Sequence, residues 1–77
     1  MEVKQLTSSL LKQEFGDYLI DIQFCGPYEE EDLDVDVLLK EKLGDLAERD
    51  MRIHRHLSEQ GWDVLICYDV DGHESED

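Results

Sequence analysis

The residues of this chain best suited to chemistry are acids. Glu29, Glu30, Glu31, Asp32, Asp34 and Asp36 fall within eight consecutive positions. Carboxylates at this density have two uses. With a lysine and a divalent metal they can build a hydrolytic centre. Without them they form an anionic array, which guanidinium and ammonium groups recognise as they recognise phosphates. Lys40 and Lys42 are the only lysines near Asp34 and Asp36, and no signature places them in a pocket. The expectation is a protein that is not an enzyme, with no catalytic residues, whose acids bind a basic partner. The bland alternative is that the acids solvate one strand face and its loop.

The other constellations carry less. Asp50 and His54 are spaced as neighbours on a helix surface. They suit either a polar pair that sets register at a partner seam or a local pair at the edge of an apolar stripe; no nucleophile accompanies them. His54, His56 and His73 with Cys25 and Cys67 contain no CxxC or HxxxH spacing, so no metal or cofactor is expected. Asp69-Val70-Asp71-Gly72 begins like a calcium loop, but its Gly comes two positions early and the closing Glu is absent. Arg49, Arg52 and Arg55 form a small ridge that reads as salt-laced and solvated.

Composition sets the frame. Twenty-one of 77 residues are Asp or Glu against seven Lys plus Arg, a formal net charge of -14. Self-repulsion of this size works against compaction, so the charge suits a partner, solubility or a salty medium. It disfavours direct contact with nucleic acid or an anionic membrane. Apolar residues make up 40% of the chain and fall into periodic blocks, which implies one folded domain over 1–77 with a frayed tail at 70–77. No run is long enough to span a membrane. The start of the chain carries no basic-then-apolar leader, and two cysteines are too few for a disulfide framework. The expected location is therefore the cytoplasm.

These residues must be positioned by a small set of elements. Thr7-Ser8-Ser9 before Leu10, Leu11 and Phe15, with Gly16 after, predict a short helix over about 8–15. Residues 17–25 alternate, with Tyr18, Ile20, Ile22 and Phe24 on one face of a strand. Leu33, Val35 and Val37 alternate with Asp34 and Asp36, a possible second strand with one apolar side and one carboxylate side; 29–32 read as a solvated loop. Leu39, Leu43, Leu46, Ile53 and Leu57 then follow a helical stripe to Gln60. Gly44 either weakens one long helix or ends a turn before a helix over 45–60, opened by an Asp45–Glu48 capping box. After Gly61, Trp62, Val64, Ile66, Tyr68 and Val70 alternate with Asp63, Leu65, Cys67 and Asp69 in a last strand. The fold class is α+β in the order α-β-(β)-α-β: a single-layer sheet of two or three strands, a short N-terminal helix and a long amphipathic one. A helix of ~30 Å would overhang so narrow a sheet and meet a second copy or a partner.

The segment Glu48-Arg49-Asp50-Met51-Arg52, then Leu57, then Gly61-Trp62-Asp63-Val64-Leu65, is similar to the helix–Gly–Trp–strand unit of very-short-patch-repair-type nucleases. The chain has no Asp…Glu-x-Lys core, so the resemblance implies a helix–strand joint and transfers no catalytic residue. In charge and size the chain resembles the small acidic inhibitors made by phages, including nucleic-acid mimics and anti-CRISPR proteins. That likeness implies an inhibitor occupying the basic site of a nucleic-acid-handling enzyme or complex. The residues expected to bind are Glu29, Glu30, Glu31, Asp32, Asp34 and Asp36, helped by Asp63 and Asp69. The alternative is a structural or adaptor protein, a homodimer or small subunit, joined through a helix seam of Leu46, Asp50, Ile53, His54 and Leu57.

Overall fold

In the computed structural model, residues 2–25 and 32–71 are described. The first helix, α1, spans Val3–Phe15 and begins five residues earlier than its hydroxyl cluster predicts. The reason is Glu2, whose carboxylate accepts the Gln5 amide at 3.2 Å and caps the helix in place of Thr7 or Ser8. Val3 and Leu6 then extend the apolar stripe of Leu10, Leu11 and Phe15 onto the core. Gly16, at φ +52°, ends the helix in a conformation that favours glycine, and its amide returns to the Lys12 carbonyl. A single 3₁₀ turn, Gly16–Tyr18, leads into the sheet.

Three strands of equal length follow: β1 (Leu19–Cys25), β2 (Leu33–Leu39) and β3 (Val64–Val70), in the spatial order β1-β2-β3. β1 runs antiparallel to β2, and β2 parallel to β3 across α2 (Leu46–Glu59). This is the expected α+β class with the middle strand present, as a mixed three-stranded sheet. Leu33, Val35, Val37 and Leu39 of β2 are all buried against Leu10, Leu11, Phe15, Ile53 and Leu57 of the helices. The core therefore lies on one side of the sheet.

Four expectations are corrected by local physics. The β1 face proposed for Tyr18, Ile20, Ile22 and Phe24 is broken, because the pairing shifts between Leu19 and Asp21. The extra residue resets the alternation. Leu19, Ile22 and Phe24 keep the helix side, while Ile20 is 42% exposed and Tyr18 sits in the 3₁₀ turn. Leu39 belongs to β2 rather than to a helical stripe, since it is buried with Leu33, Val35 and Val37 at alternate positions of that strand. The second helix thus starts after Gly44, and at 14 residues it is about 21 Å long, matched to seven-residue strands of about 23 Å. The two helices are nearly equal in length, and α2 is shorter than the expected ~30 Å. Finally, Asp45 makes no side-chain cap; its carboxylate instead accepts from Arg49 Nε at 3.0 Å. That guanidinium holds the Asp45 carboxyl below its usual range.

The far end of α2 follows the expected joint. Gly61 takes φ +86°, and the Trp62 amide returns to the Leu57 carbonyl at 2.9 Å before β3 begins. At the other end of β3, Val70 is within the strand and the Asp71 amide bonds the Leu39 carbonyl at 2.8 Å. The rest of the expected frayed tail, 72–77, lies outside the described residues.

The helices are joined by arginines. Arg52 grips the Glu14 carboxylate with two nitrogens at 3.0 and 3.1 Å. Arg49 donates to the Glu14 carbonyl and lies beside the rings of Phe15 and Tyr18. Two members of the expected solvated ridge are thus fastened to the C-terminal end of α1, where positive charge complements the helix dipole.

Among the described residues, Thr7 carries a buried hydroxyl without a partner. Thr7 is wholly buried on the α1 stripe, and its hydroxyl makes no hydrogen bond. Burying an unpaired hydroxyl costs about 1–3 kcal/mol. Thr7→Val keeps the shape and removes that cost, so urea denaturation should show a stability gain of about 1 kcal/mol. A loss of stability would mean the hydroxyl is satisfied.

Candidate functional site: the uncovered acidic face of the sheet

Both helices cover the same side of the sheet, and no described element covers the other. Register arranges the uncovered side as three cross-strand rows: Cys25–Asp34–Leu65, Gln23–Asp36–Cys67 and Asp21–Leu38–Asp69. Asp34 and Asp36 lie one pleat repeat apart on β2, about 6.6 Å. Asp21 and Asp69 flank Leu38 on the neighbouring strands, about 9.6 Å from one another across two strand spacings. The face thus holds four carboxylates, two thiols, an amide and two leucines, with no Lys, Arg or His among them.

Exposure differs across the array. Asp21, Asp36 and Asp69 are exposed; Asp34 is 9% exposed. Leu65, at 52% exposed, gives the face an apolar contact point. The surface is shallow. One depression of about 190 Å³ is lined by Asp21, Gln23, Asp36, Leu38 and Asp69; another of about 120 Å³ by Cys25, Asp34, Asp36, Leu65 and Cys67. Neither cysteine is in a disulfide, and the Cys25 thiol lies 3.5 Å from the Asp36 carboxylate. Among the described residues no group of three or more His, Cys, Asp or Glu has the geometry to hold a metal ion. No helix among them is long and apolar enough to cross a membrane.

The structure distributes the residues expected to bind a partner. Asp34, Asp36 and Asp69 share the uncovered face. Asp32 and Asp63 lie just before β2 and β3. They clamp the starts of β2 and β3: the Asp32 amide donates to the Asp63 carbonyl at 2.6 Å, and the Asp63 amide to the Asp32 carboxylate at 2.8 Å. Glu29, Glu30 and Glu31 lie outside the described residues. Lys40 and Lys42 line neither depression. Asp21 is the member that reasoning from the acidic run missed. Its signal was present, because alternation placed it opposite Ile22 and Phe24.

The helix seam is used inside the chain. Ile53 and Leu57 are buried in the core and Leu46 packs against it. Asp50 accepts the Tyr68 hydroxyl at 2.7 Å and lies 3.1 Å from His54 Nε2 through the same oxygen. Tyr68 was overlooked as Asp50's partner, although a tyrosine on the inward phase of a strand needs one for its hydroxyl. Its ring also packs edge-on to Phe15 at 5.6 Å.

Comparison of the chain with protein-family models, with curated proteins and with solved structures finds no match. Its functional interpretation rests on geometry and charge.

Burial, the bond to Asp50, and the negative charges of Asp50 and Glu14 all push the Tyr68 hydroxyl pKa upward from its ordinary 10.0. A raised folded-state value means the unfolded chain ionises first, so the stabilisation is complete below about pH 10 and is lost at higher pH. Denaturation midpoints should be insensitive to this group at neutral pH and fall above about pH 10. In Tyr68→Phe the alkaline fall should be shallower, with a loss of about 1 kcal/mol at neutral pH from the missing hydrogen bond. An unchanged alkaline slope would remove Tyr68 from this role.

Proposed function

We propose that this protein is a small binding module whose uncovered sheet face occupies a basic, Lys/Arg-rich surface of another protein. A surface built to hold nucleic acid is the best chemical match, because donors arranged for phosphates also accept carboxylates. The mechanism is competitive inhibition by charge. The observation that carries this reading is the face itself: three exposed carboxylates, Asp21, Asp36 and Asp69, in fixed cross-strand register around the buried Asp34, with no Lys, Arg or His in those rows and no described element over them. The rigid sheet matters, since a carboxylate already held in place loses less entropy on docking. Leu65 and Leu38 supply the desolvated contact that charge alone lacks. Opposite charge accelerates encounter and makes it salt-sensitive.

The test uses an arginine-rich peptide as the basic probe. Wild-type protein should bind it with an affinity that falls as salt rises, and amide shifts should centre on β1–β3 residues of the uncovered face. Asp21→Asn/Asp36→Asn/Asp69→Asn should weaken binding about tenfold or more, each exposed pair contributing roughly 0.2–1 kcal/mol. A control, Glu41→Gln/Glu48→Gln/Glu59→Gln, removes the same charge elsewhere and should weaken binding far less. Equal losses would reduce the effect to net charge and overturn the reading. A single-stranded DNA oligonucleotide should not bind.

A further inference from the structure

We infer that the outer edge of β1, together with the flank of α1 beside it, is a second docking groove, which takes an extended acidic peptide as a fourth strand. Two lysines give it a cationic helix side, and Asp21 of the acidic face borders its strand side. The groove is formed by two adjoining depressions of about 460 and 480 Å³ that share Ser8, Lys12 and Phe24. β1 is an edge strand, so the outward backbone groups of residues 19–25 have no strand partner among the described residues. Such an edge is a template for an added strand. Ile20, Ile22 and Phe24 form the apolar floor, and Ile20 and Phe24 are 42% and 37% exposed. Lys4 and Lys12 line the helix side.

The lysines select the occupant. In a chain with 21 acids, neither Lys4 nor Lys12 forms an ion pair among the described residues. Lys4 instead lies over the Phe24 ring, its Nζ 5.8 Å from the centroid. The two lysines are eight residues apart on α1, a rise of about 12 Å. On an added strand, side chains four residues apart on one face are separated by about 13 Å. The matching segment is therefore acid-x-apolar-x-acid, its central residue set against the floor and its acids reaching the two ammonium groups.

A second copy of the chain fits poorly. Two-fold antiparallel pairing of β1 with itself keeps both α1 helices on one side and runs them antiparallel. Lys4 of each copy would then face Lys12 of the other, like charge against like. An acidic segment turns the same lysines into attraction.

The experiment uses the whole chain and a capped peptide, Thr-Glu-Thr-Val-Thr-Glu-Thr, followed by amide shifts and hydrogen exchange. Outward amides of β1 should shift and gain protection, and the equivalent peptide with Lys in place of Glu should bind at least about tenfold more weakly. Lys4→Glu/Lys12→Glu should reverse that preference. Lys4→Gln/Lys12→Gln, which keeps the helix termini neutral, should abolish it should the reversal disturb the fold. Several results would overturn the inference: equal binding of both peptides, unchanged preference in the Gln variant, shifts confined to β3 or to the acidic face, or no binding at millimolar peptide. A wild-type protein that sediments as a dimer with its β1 amides already protected would assign the edge to a second copy and also overturn it. None of these results depends on whether the uncovered face binds the arginine-rich probe.

Discussion

Two helices lying on one side of three strands leave the other side of the sheet without a cover among the described residues, and this constraint governs the molecule. The central strand must be apolar toward the helices and wettable away from them. Leu33, Val35, Val37 and Leu39 meet the first demand, and Asp34 and Asp36 the second. Since β2 has neighbours on both edges, its register also decides which residues of β1 and β3 share each face. The acidic array is thus a consequence of the same alternation that builds the core. A one-residue slip of β2 would bury its aspartates among leucines and expose the core.

The charge distribution follows from how few cations the chain has. Seven Lys plus Arg must offset 21 acids in a fold with a small core. Two arginines are committed to the helix junction, where Arg52 holds the Glu14 carboxylate and Arg49 the end of α1. A bidentate guanidinium is the suitable group there, because it can satisfy a carboxylate and leave its partner residue free to cap a helix. Asp32 works in the same structural sense, spending its carboxylate on the Asp63 backbone where β2 and β3 begin. Of the remaining charges, Asp21, Asp34, Asp36 and Asp69 share the face away from the helices, and Lys4 and Lys12 lie beside the β1 edge.

The fold class was legible because its signals are local. Period two in β2 and β3, a helical stripe after Gly44, and Gly61 before a Val/Leu strand each identify an element from adjacent residues. Ambiguity arose where two periods overlapped, as at Leu39, which fits both the β2 alternation and the helical stripe. The bulge at Ile20 carried no glycine to announce it. The cap at Glu2 was hidden by a hydroxyl cluster of stronger intrinsic preference. The site was legible only in part for a different reason. Contiguity in sequence put weight on the acidic run, whereas contiguity in space comes from register. Asp21 and Asp69 join Asp34 and Asp36 across strands, while Asp32 and Asp63 are drawn into a backbone clamp. Tyr68 and Asp50 are similarly joined by a hydrogen bond from β3 to α2 that no local pattern encodes.

Segregation of charge also changes what a net charge of -14 means for recognition. Distributed evenly, it would repel every polyanion and attract every polycation with little discrimination, since exposed charges beyond a Debye length of about 8 Å are screened. Discrimination therefore has to come from groups within that distance of one another. The cross-strand spacings on the acidic face fall within or close to it, so a partner meets a local pattern rather than a mean field. The same argument protects the β1 edge. Lys4 and Lys12 lie on the helix layer, and apart from Asp21, which borders both, the sheet stands between them and the acidic rows. Opposite preferences can therefore coexist on a chain of 77 residues, because the sheet separates them and salt screens what remains.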